Sequence, residues 1–349
     1  MILELISIAI GRKQAFDRVL EASEWREILE QANNQALLGV LSPVLDRLPA
    51  CQKPPLDVYA KWKFTAERIE KENKKLNSRC RELYERFSRD GFRSSILKGQ
   101  GNAAYYPTPS LRVAGDIDIL LEGGRKKVLD YLEKNFPVGN VFYHHADAGI
   151  FDDVEVEAHF IPSWMNSPLN NHRLQKYYSM NSENLFSHFR EELGFCVPEK
   201  GCCMVYSLVH VFRHLFAEGV GLRQVMDCYY ILLSLDETRR EEVMAVMKRL
   251  SLKRFTSALM FVLQEVFGLD QDKMLCSPDP ERGQFLLDEM MAAGNFGKYD
   301  ERYRGLMRGP KLKRGLRKQA RLVRFFDIAP REVIWAPFFK LKQLIFYTR

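Results

Sequence analysis

From Arg112 to Leu121 the chain runs Arg-Val-Ala-Gly-Asp-Ile-Asp-Ile-Leu-Leu, which sets two carboxylates two residues apart inside an apolar stretch. A strand sends residues i and i+2 to the same face, so Asp116 and Asp118 project side by side. Like charges that close repel, and each raises the other's pKa unless something neutralises them. A hard divalent cation does this, and carboxylate oxygens are its natural ligands. Leu97-Lys98-Gly99 lies upstream and adds a glycine turn. The pattern predicts a Mg²⁺ (or Mn²⁺) site made for handling phosphates.

The surrounding residues predict an α+β fold, a small mixed β-sheet flanked by N-terminal and C-terminal helical regions. Residues 1–90 read as helical. Their clearest piece is Asp57–Arg89, where Trp62, Ile69, Leu76 and Leu83 recur every seven positions and Cys80 and Phe87 fill the same stripe. Residues 91–165 form the sheet-bearing core. Strands are expected at Ser94–Leu97, Val113–Leu121, Val138–His145 and Val154–Phe160, with a helix at Arg125–Phe136 after the Gly123-Gly124 break. Residues 166–300 form a second helical domain, with helices near 200–217, 220–235, 238–250, 253–267 and 281–293. The polar stretch from Asn166 to Pro198 resists assignment. Residues 301–349 make a basic, aromatic tail.

Several classes of protein are excluded at this level. Of 349 residues, 46% are apolar and 28% charged, which argues against extended disorder. The run Ile2–Ile10 is broken by Glu4 and is too short to span a bilayer, and it lacks the flanks of a secretory signal. Seven cysteines are scattered without zinc-ligand spacing, so reduced thiols in a cytoplasmic protein are expected. The net charge of +7 belongs to the tail, where residues 305–349 hold twelve Lys or Arg against two acids. Lys311–Arg324 is strongly basic, and Val333–Tyr347 is aromatic and apolar. Such a pairing suits an anionic membrane surface, a nucleic acid, or a helix covering the core with its charges in water.

Val154-Glu155-Val156-Glu157-Ala158-His159 alternates strictly, so Glu155, Glu157 and His159 share a strand face. One of these acids completes a three-carboxylate cluster with Asp116 and Asp118. Such a cluster holds cations that orient a triphosphate and activate an attacking hydroxyl. Lys98 and Arg112 are the candidate cations for the phosphates. Adjacent strand residues face opposite ways, so His144 and His145 are not expected to share an ion without a bend. His210 and His214 stand four apart on a helix without a metalloprotease-type glutamate and read as core or supporting residues. Asp227, in an apolar helix, needs a partner, with Arg223 or Arg213 the expected one.

The block from Leu97-Lys98-Gly99 through Tyr106-Pro107, Arg112, Gly115-Asp116-Ile117-Asp118-Ile119-Leu120 and Glu157-Ala158-His159 resembles the uncharacterised bacterial nucleotidyltransferase family of the polymerase-β-like superfamily. His210, His214 and Leu222-Arg223-Gln224-Val225-Met226-Asp227 resemble that family's helical part, so the resemblance covers roughly residues 85–235. It implies a magnesium- and nucleotide-binding core that transfers NMP from an NTP to an unidentified hydroxyl or phosphate acceptor, which could be a small molecule, a protein or a nucleic acid. Gly99 matches the turn glycine, Asp116 and Asp118 the metal pair, and Glu157 the third acid, with Glu155 the alternative. The implied substrate contacts are Lys98, Gly99, Gln100, Arg112, Gly115 and His159, and the helices after residue 200 form the acceptor wall. Gly99-Gln100 departs from the superfamily's usual Gly-Ser or Gly-Gly turn. This motivates an alternative, a degenerate nucleotidyltransferase fold that binds or regulates without catalysis. A phosphohydrolase using the same acids is a weaker third reading.

Overall fold

The computed structural model describes residues 1–303 and 321–346. Four helices come first: α1 (Ile2–Ala9), α2 (Ala22–Asn34), α3 (Leu38–Arg47) and α4 (Leu56–Arg89). A reciprocal capping box between Glu21 and Glu24 starts α2. Helix α4 is 34 residues long, about 51 Å at 1.5 Å per residue, with no glycine or proline inside it. Its buried stripe is Val58, Trp62, Ala66, Asn73, Leu76, Cys80, Leu83 and Phe87, close to the heptad read from the sequence. Just past its end, Gly91 adopts the left-handed region at φ +81° and turns the chain towards the sheet.

Next come β1 (Ser94–Ile96), the short α5 (Gln100–Ala103), β2 (Ile117–Leu121), α6 (Gly124–Asn135), β3 (Val138–Val141), β4 (His145–Ala148) and β5 (Val156–His159). The strands form one sheet in the order β1-β2-β5-β4-β3, parallel only between β2 and β5. The expected mixed sheet is therefore present. Alternation along the strands divides its two faces. Ile96, Ile117, Ile119, Leu121, Ala146, Val156 and Ala158 face one core with Leu76, Cys80, Leu83 and Phe87 of α4 and Val128 and Leu132 of α6. Asp118 and Leu120 point the other way.

Two strand expectations are corrected. Val138–His145 is not one strand but β3, a reversal and the start of β4. The Phe142 N–H donates to the His145 carbonyl at 2.8 Å and closes that reversal. The second strand begins at Ile117 and not at Val113, because Val113–Gly115 lines a cleft instead of pairing in the sheet.

The polar stretch after residue 166 holds α7 (Pro168–Met180), α8 (Ser182–Phe186) and a ribbon of β6 (Phe189–Arg190) and β7 (Phe195–Cys196). Ser167 caps α7, and Pro168 fills its first turn. Then follow α9 (Lys200–Ala217), α10 (Leu222–Leu233), α11 (Glu237–Arg249), α12 (Lys253–Phe267) and α13 (Pro280–Ala293), near their expected positions. These pack with α1–α3 and the first half of α4 into a second, larger core.

A last helix, Pro330–Phe346, buries Val333 and Ala336, and its Glu332 accepts from Asn170 Nδ2 at 2.9 Å. Its outer stripe of Ile334, Trp335, Phe338, Leu341 and Ile345 is exposed. The expected basic segment falls largely outside the described residues, since 304–320 are not among them. Among the described residues no helix is long and apolar enough to cross a membrane.

Helices α3 and α4 clamp the turn Pro109–Leu111 that leads into Arg112. Asn73 Nδ2 donates to the Ser110 and Arg112 carbonyls at 2.7 and 2.8 Å. A Cβ on Gly39 would stand 2.0 Å from the Leu111 carbonyl oxygen, so only glycine lets α3 approach this closely. Gly39→Ala is expected to destabilise the fold by about 1–3 kcal/mol in urea unfolding, despite the better helix propensity of alanine. Wild-type stability would mean that α3 does not press on this turn.

Candidate active site

The parallel pairing of β2 and β5 sets Asp118 opposite Glu157 and Leu120 opposite His159. Antiparallel β1 then delivers Lys98, since the Leu97 N–H donates to the Asp118 carbonyl at 3.0 Å. Lys98 Nζ lies 3.1 Å from Asp118 Oδ2 and 3.8 Å from Asp116 Oδ2. His159 Nε2 lies 3.0 Å from Asp118 Oδ1 and 3.4 Å from Glu157 Oε2. Asp118 is buried, whereas Asp116 is one-third exposed at the edge of the cleft.

These charges set one another's protonation. Burial alone would raise the Asp118 pKa, but Lys98 and His159 outweigh it and hold the carboxyl well below its usual range. Mutual repulsion between the aspartates, expected from their spacing, is thus relieved by an ammonium group between them. Burial disfavours the charge on Lys98, and Asp118 and Asp116 nevertheless raise its pKa. His159 is likewise opposed by burial, but Asp118 and Glu157 lift it to about 9. Glu157 is raised, first by burial.

The other expected residues fall in distinct places. Glu155 is exposed and joins none of the clusters of metal-binding side chains, because β5 begins only at Val156. Gly99 adopts φ +60° before α5 and lines the cleft, as does Gly115. Gln100 is buried away from it and donates to Asn77 Oδ1 of α4 at 2.8 Å. Arg112 lines the cleft but is held in a buried bidentate pair with Asp227, Nε to Oδ1 at 2.7 Å and Nη2 to Oδ2 at 2.6 Å. Tyr106 Oη also donates to Asp227 Oδ1, at 2.7 Å. Asp227 therefore pairs with Arg112, just ahead of β2, and with neither Arg223 nor Arg213, the partners expected from the sequence.

The cleft between the sheet and α9–α10 has two chambers. One, about 280 Å³, is lined by Lys98, Gly99, Arg112, Gly115, Asp116 and Arg223 among others. The second, about 380 Å³, faces Asp118, Glu157, His144, His145, His159 and Arg213. Lys98, Asp116, Tyr206, His210 and Phe296 border both chambers. Phe296 adopts φ +56°, a conformation rare for a bulky residue.

Two arginines here were not singled out for the site by sequence. Arg223 Nη2 donates only weakly, to Asn295 Oδ1 at 3.4 Å, and Arg213 Nη1 to Ser163 Oγ at 3.3 Å. Neither has a carboxylate partner among the described residues, and burial pushes their pKa values down to about 10 and about 9. Both are half-buried, Arg213 against the Trp164 ring and Arg223 near the Phe296 ring, and a partly desolvated guanidinium without a counter-charge favours an anion beside it. The signal was present, as single arginines in the apolar helical runs 208–216 and 220–226.

Asp118, Glu157 and His159 lie close enough together to hold a divalent cation, whereas Asp116, at the edge of the cleft, joins no such group among the described residues. Asp116, Asp118 and Glu157 face one cleft, and Asp118 Oδ2 is buried with no hydrogen bond, only the Lys98 ammonium nearby. Fold and site together define an α+β protein with acids on paired parallel strands facing a cleft bordered by cations. The chain belongs to the family of uncharacterised nucleotidyltransferases, which it matches over residues 21–268, from just before α2 to just past α12. No curated protein and no solved structure matches it. Family membership supports a general function in nucleotidyl transfer.

The Arg112–Asp227 pair joins the two halves of the cleft. Asp227→Asn removes its charge and is expected to cost about 3–5 kcal/mol in urea unfolding. A loss below about 1 kcal/mol, the level of a surface pair, would contradict the buried pairing.

Proposed function

We propose that this chain is a Mg²⁺-dependent nucleotidyltransferase of the polymerase-β-like superfamily, moving NMP from an NTP to a hydroxyl or phosphate acceptor and releasing pyrophosphate. The observation that carries this reading is the register that sets Asp118 beside Glu157, with Asp116 at the edge of a cleft bordered by cations. Asp116 and Asp118 would hold Mg²⁺ or Mn²⁺, and Glu157 would bind a second cation or act as base for the acceptor. When bound, the cation neutralises phosphate charge and lowers the pKa of the attacking hydroxyl.

The chain's own residues do the rest. Lys98 and Arg223 meet the phosphate oxygens, Arg223 having no competing carboxylate among the described residues. Arg112, tied to Asp227, fixes the Val113–Gly115 wall and adds positive charge beside it. Gly99 keeps the turn open for close approach of the phosphates, while Gln100 anchors that turn to α4. In its base role Glu157 accepts the acceptor's proton, a role matched by its raised pKa, and His159 orients it from 3.4 Å. The acceptor oxygen then bonds to the α-phosphorus as the bond to the bridging oxygen breaks and pyrophosphate leaves. The acceptor enters by the chamber lined by α9.

The Lys98 ammonium between the aspartates favours a second reading, a nucleotidyltransferase fold that binds nucleotide without transferring it. Seven free cysteines and an NTP substrate suit the cytoplasm. For the tail, the exposed aromatic and apolar stripe beside Lys340 and Lys342 favours an anionic membrane surface over nucleic acid.

The deciding assay is transfer of α-labelled phosphate from each NTP, with Mg²⁺ or Mn²⁺, into whole and protein-depleted cell extract. Label is expected in one fraction. Asp116→Asn and Asp118→Asn should each lower it about a hundredfold or more. Asp118→Asn should also lower the melting temperature, because Lys98 and His159 lose their buried counter-charge, whereas Asp116→Asn should barely change it. Transfer retained in both variants would end the proposal, and Mg²⁺-dependent NTP binding without transfer would establish the second reading. For the tail, co-sedimentation with anionic but not neutral vesicles is expected, and Phe338→Glu should abolish it. Equal sedimentation of wild type and variant would remove the membrane contact.

A further inference from the structure

Five of the seven histidines, His144, His145, His159, His210 and His214, face the larger chamber. Three of them converge. Strand alternation would send His144 and His145 to opposite faces, but the chain reverses at Phe142 and enters β4 only at His145. Both rings therefore fall on one side, with His144 Nε2 2.8 Å from His145 Nδ1. His145 Nδ1 lies 3.6 Å from Glu157 Oε2, which lies 3.4 Å from His159 Nε2. Ligands bound to one ion at about 2.0–2.2 Å stand about 2.8–3.6 Å apart at octahedral to tetrahedral angles. One ring nitrogen from each of His144, His145 and His159 lies within 4.8 Å of the other two, and Glu157 does not join that group.

The chemistry of the donors narrows the ion. A ring nitrogen of histidine is a common ligand of such ions. His145 Nε2 lies 3.4 Å from Asp147 Oδ1, the kind of outer carboxylate that orients a ligating imidazole. Three imidazoles suit zinc-like transition ions, whereas Mg²⁺ favours oxygen alone. The positive groups facing the cluster are Lys98 and Arg213, and the negative ones are Asp118, Asp147 and Glu157.

We propose that His144, His145 and His159 form a second cation site, for a zinc-like divalent transition ion, beside the Asp116–Asp118 pair. The site opens into the acceptor chamber, where its ion holds an oxygen of the acceptor. Only that role rests on the nucleotidyltransferase reading, and the site itself does not.

The test is titration of the metal-free full-length protein with Co²⁺, read by the visible d–d absorption of a nitrogen-ligated ion and by its loss when Zn²⁺ is added. A stoichiometric band is expected. His144→Gln and His145→Gln should abolish it, and Asp147→Asn should weaken Co²⁺ binding about tenfold or more. Asp116→Asn should leave the band intact. Circular dichroism identifies any variant that fails to fold, and Asp147→Asn, with its partly exposed side chain, then carries the test. No band in the wild type, or one unchanged in every folded variant among these three, overturns the site. NMP transfer with Mg²⁺ is measured on the same preparations. Transfer without the band removes this site and keeps the nucleotidyltransferase; the band without transfer keeps the site and removes the transferase.

Discussion

Everything in this cleft depends on one register. Asp118 stands opposite Glu157 in the single parallel pairing of the five-stranded sheet. A slip of one residue would turn the acids of one strand into the α4–α6 core and bring Ile117 or Ile119 to the cleft. The buried face prevents this, because Ile117, Ile119, Val156 and Ala158 are all committed to packing. The hydrophobic effect thus holds the carboxylates in place, and their own charges would oppose the arrangement. Lys98, delivered by β1 on the other side of β2, makes the crowding tolerable.

Charge is balanced differently in the two halves of the cleft. On the sheet side every buried acid near the centre has a cation or imidazole beside it, and Arg112 is satisfied by Asp227. On the helical side Arg213 and Arg223 have no such partner among the described residues. The sheet contributes donors already paired, and the helices contribute positive charge still to be met. An anionic ligand between them completes a balance that the chain leaves open.

Much of this was legible in the sequence, for identifiable reasons. Period-two alternation around Asp118, Glu157 and His159 located two of the strands, although Asp116 precedes β2, and apolar periodicity located the helices after residue 200. What escaped depended on contacts distant in sequence or on a broken period. Arg112 and Asp227 are 115 residues apart, and nothing local chooses between Arg112, Arg213 and Arg223 as the partner. Glu155 belonged to the alternating run but precedes β5, so its side chain stays at the surface. His144 and His145 were separated by a strand rule that the reversal at Phe142 suspends. The place of Lys98 between two aspartates needs the antiparallel pairing of β1, which no spacing encodes.

Helix α4 has a consequence for how the cleft admits its ligands. It buries Val58 and Trp62 in the larger core and Leu76 through Phe87 in the sheet core, and through Asn73 it grips the turn before Arg112. With no glycine or proline along its length it has no built-in hinge, so the sheet cannot swing away from the helical core. The rear of the cleft is a fixed jaw. The opposite side of the cleft is bordered by α9, α10 and the Phe296 segment, whose Gly294 and Gly297 carry the backbone freedom that α4 lacks.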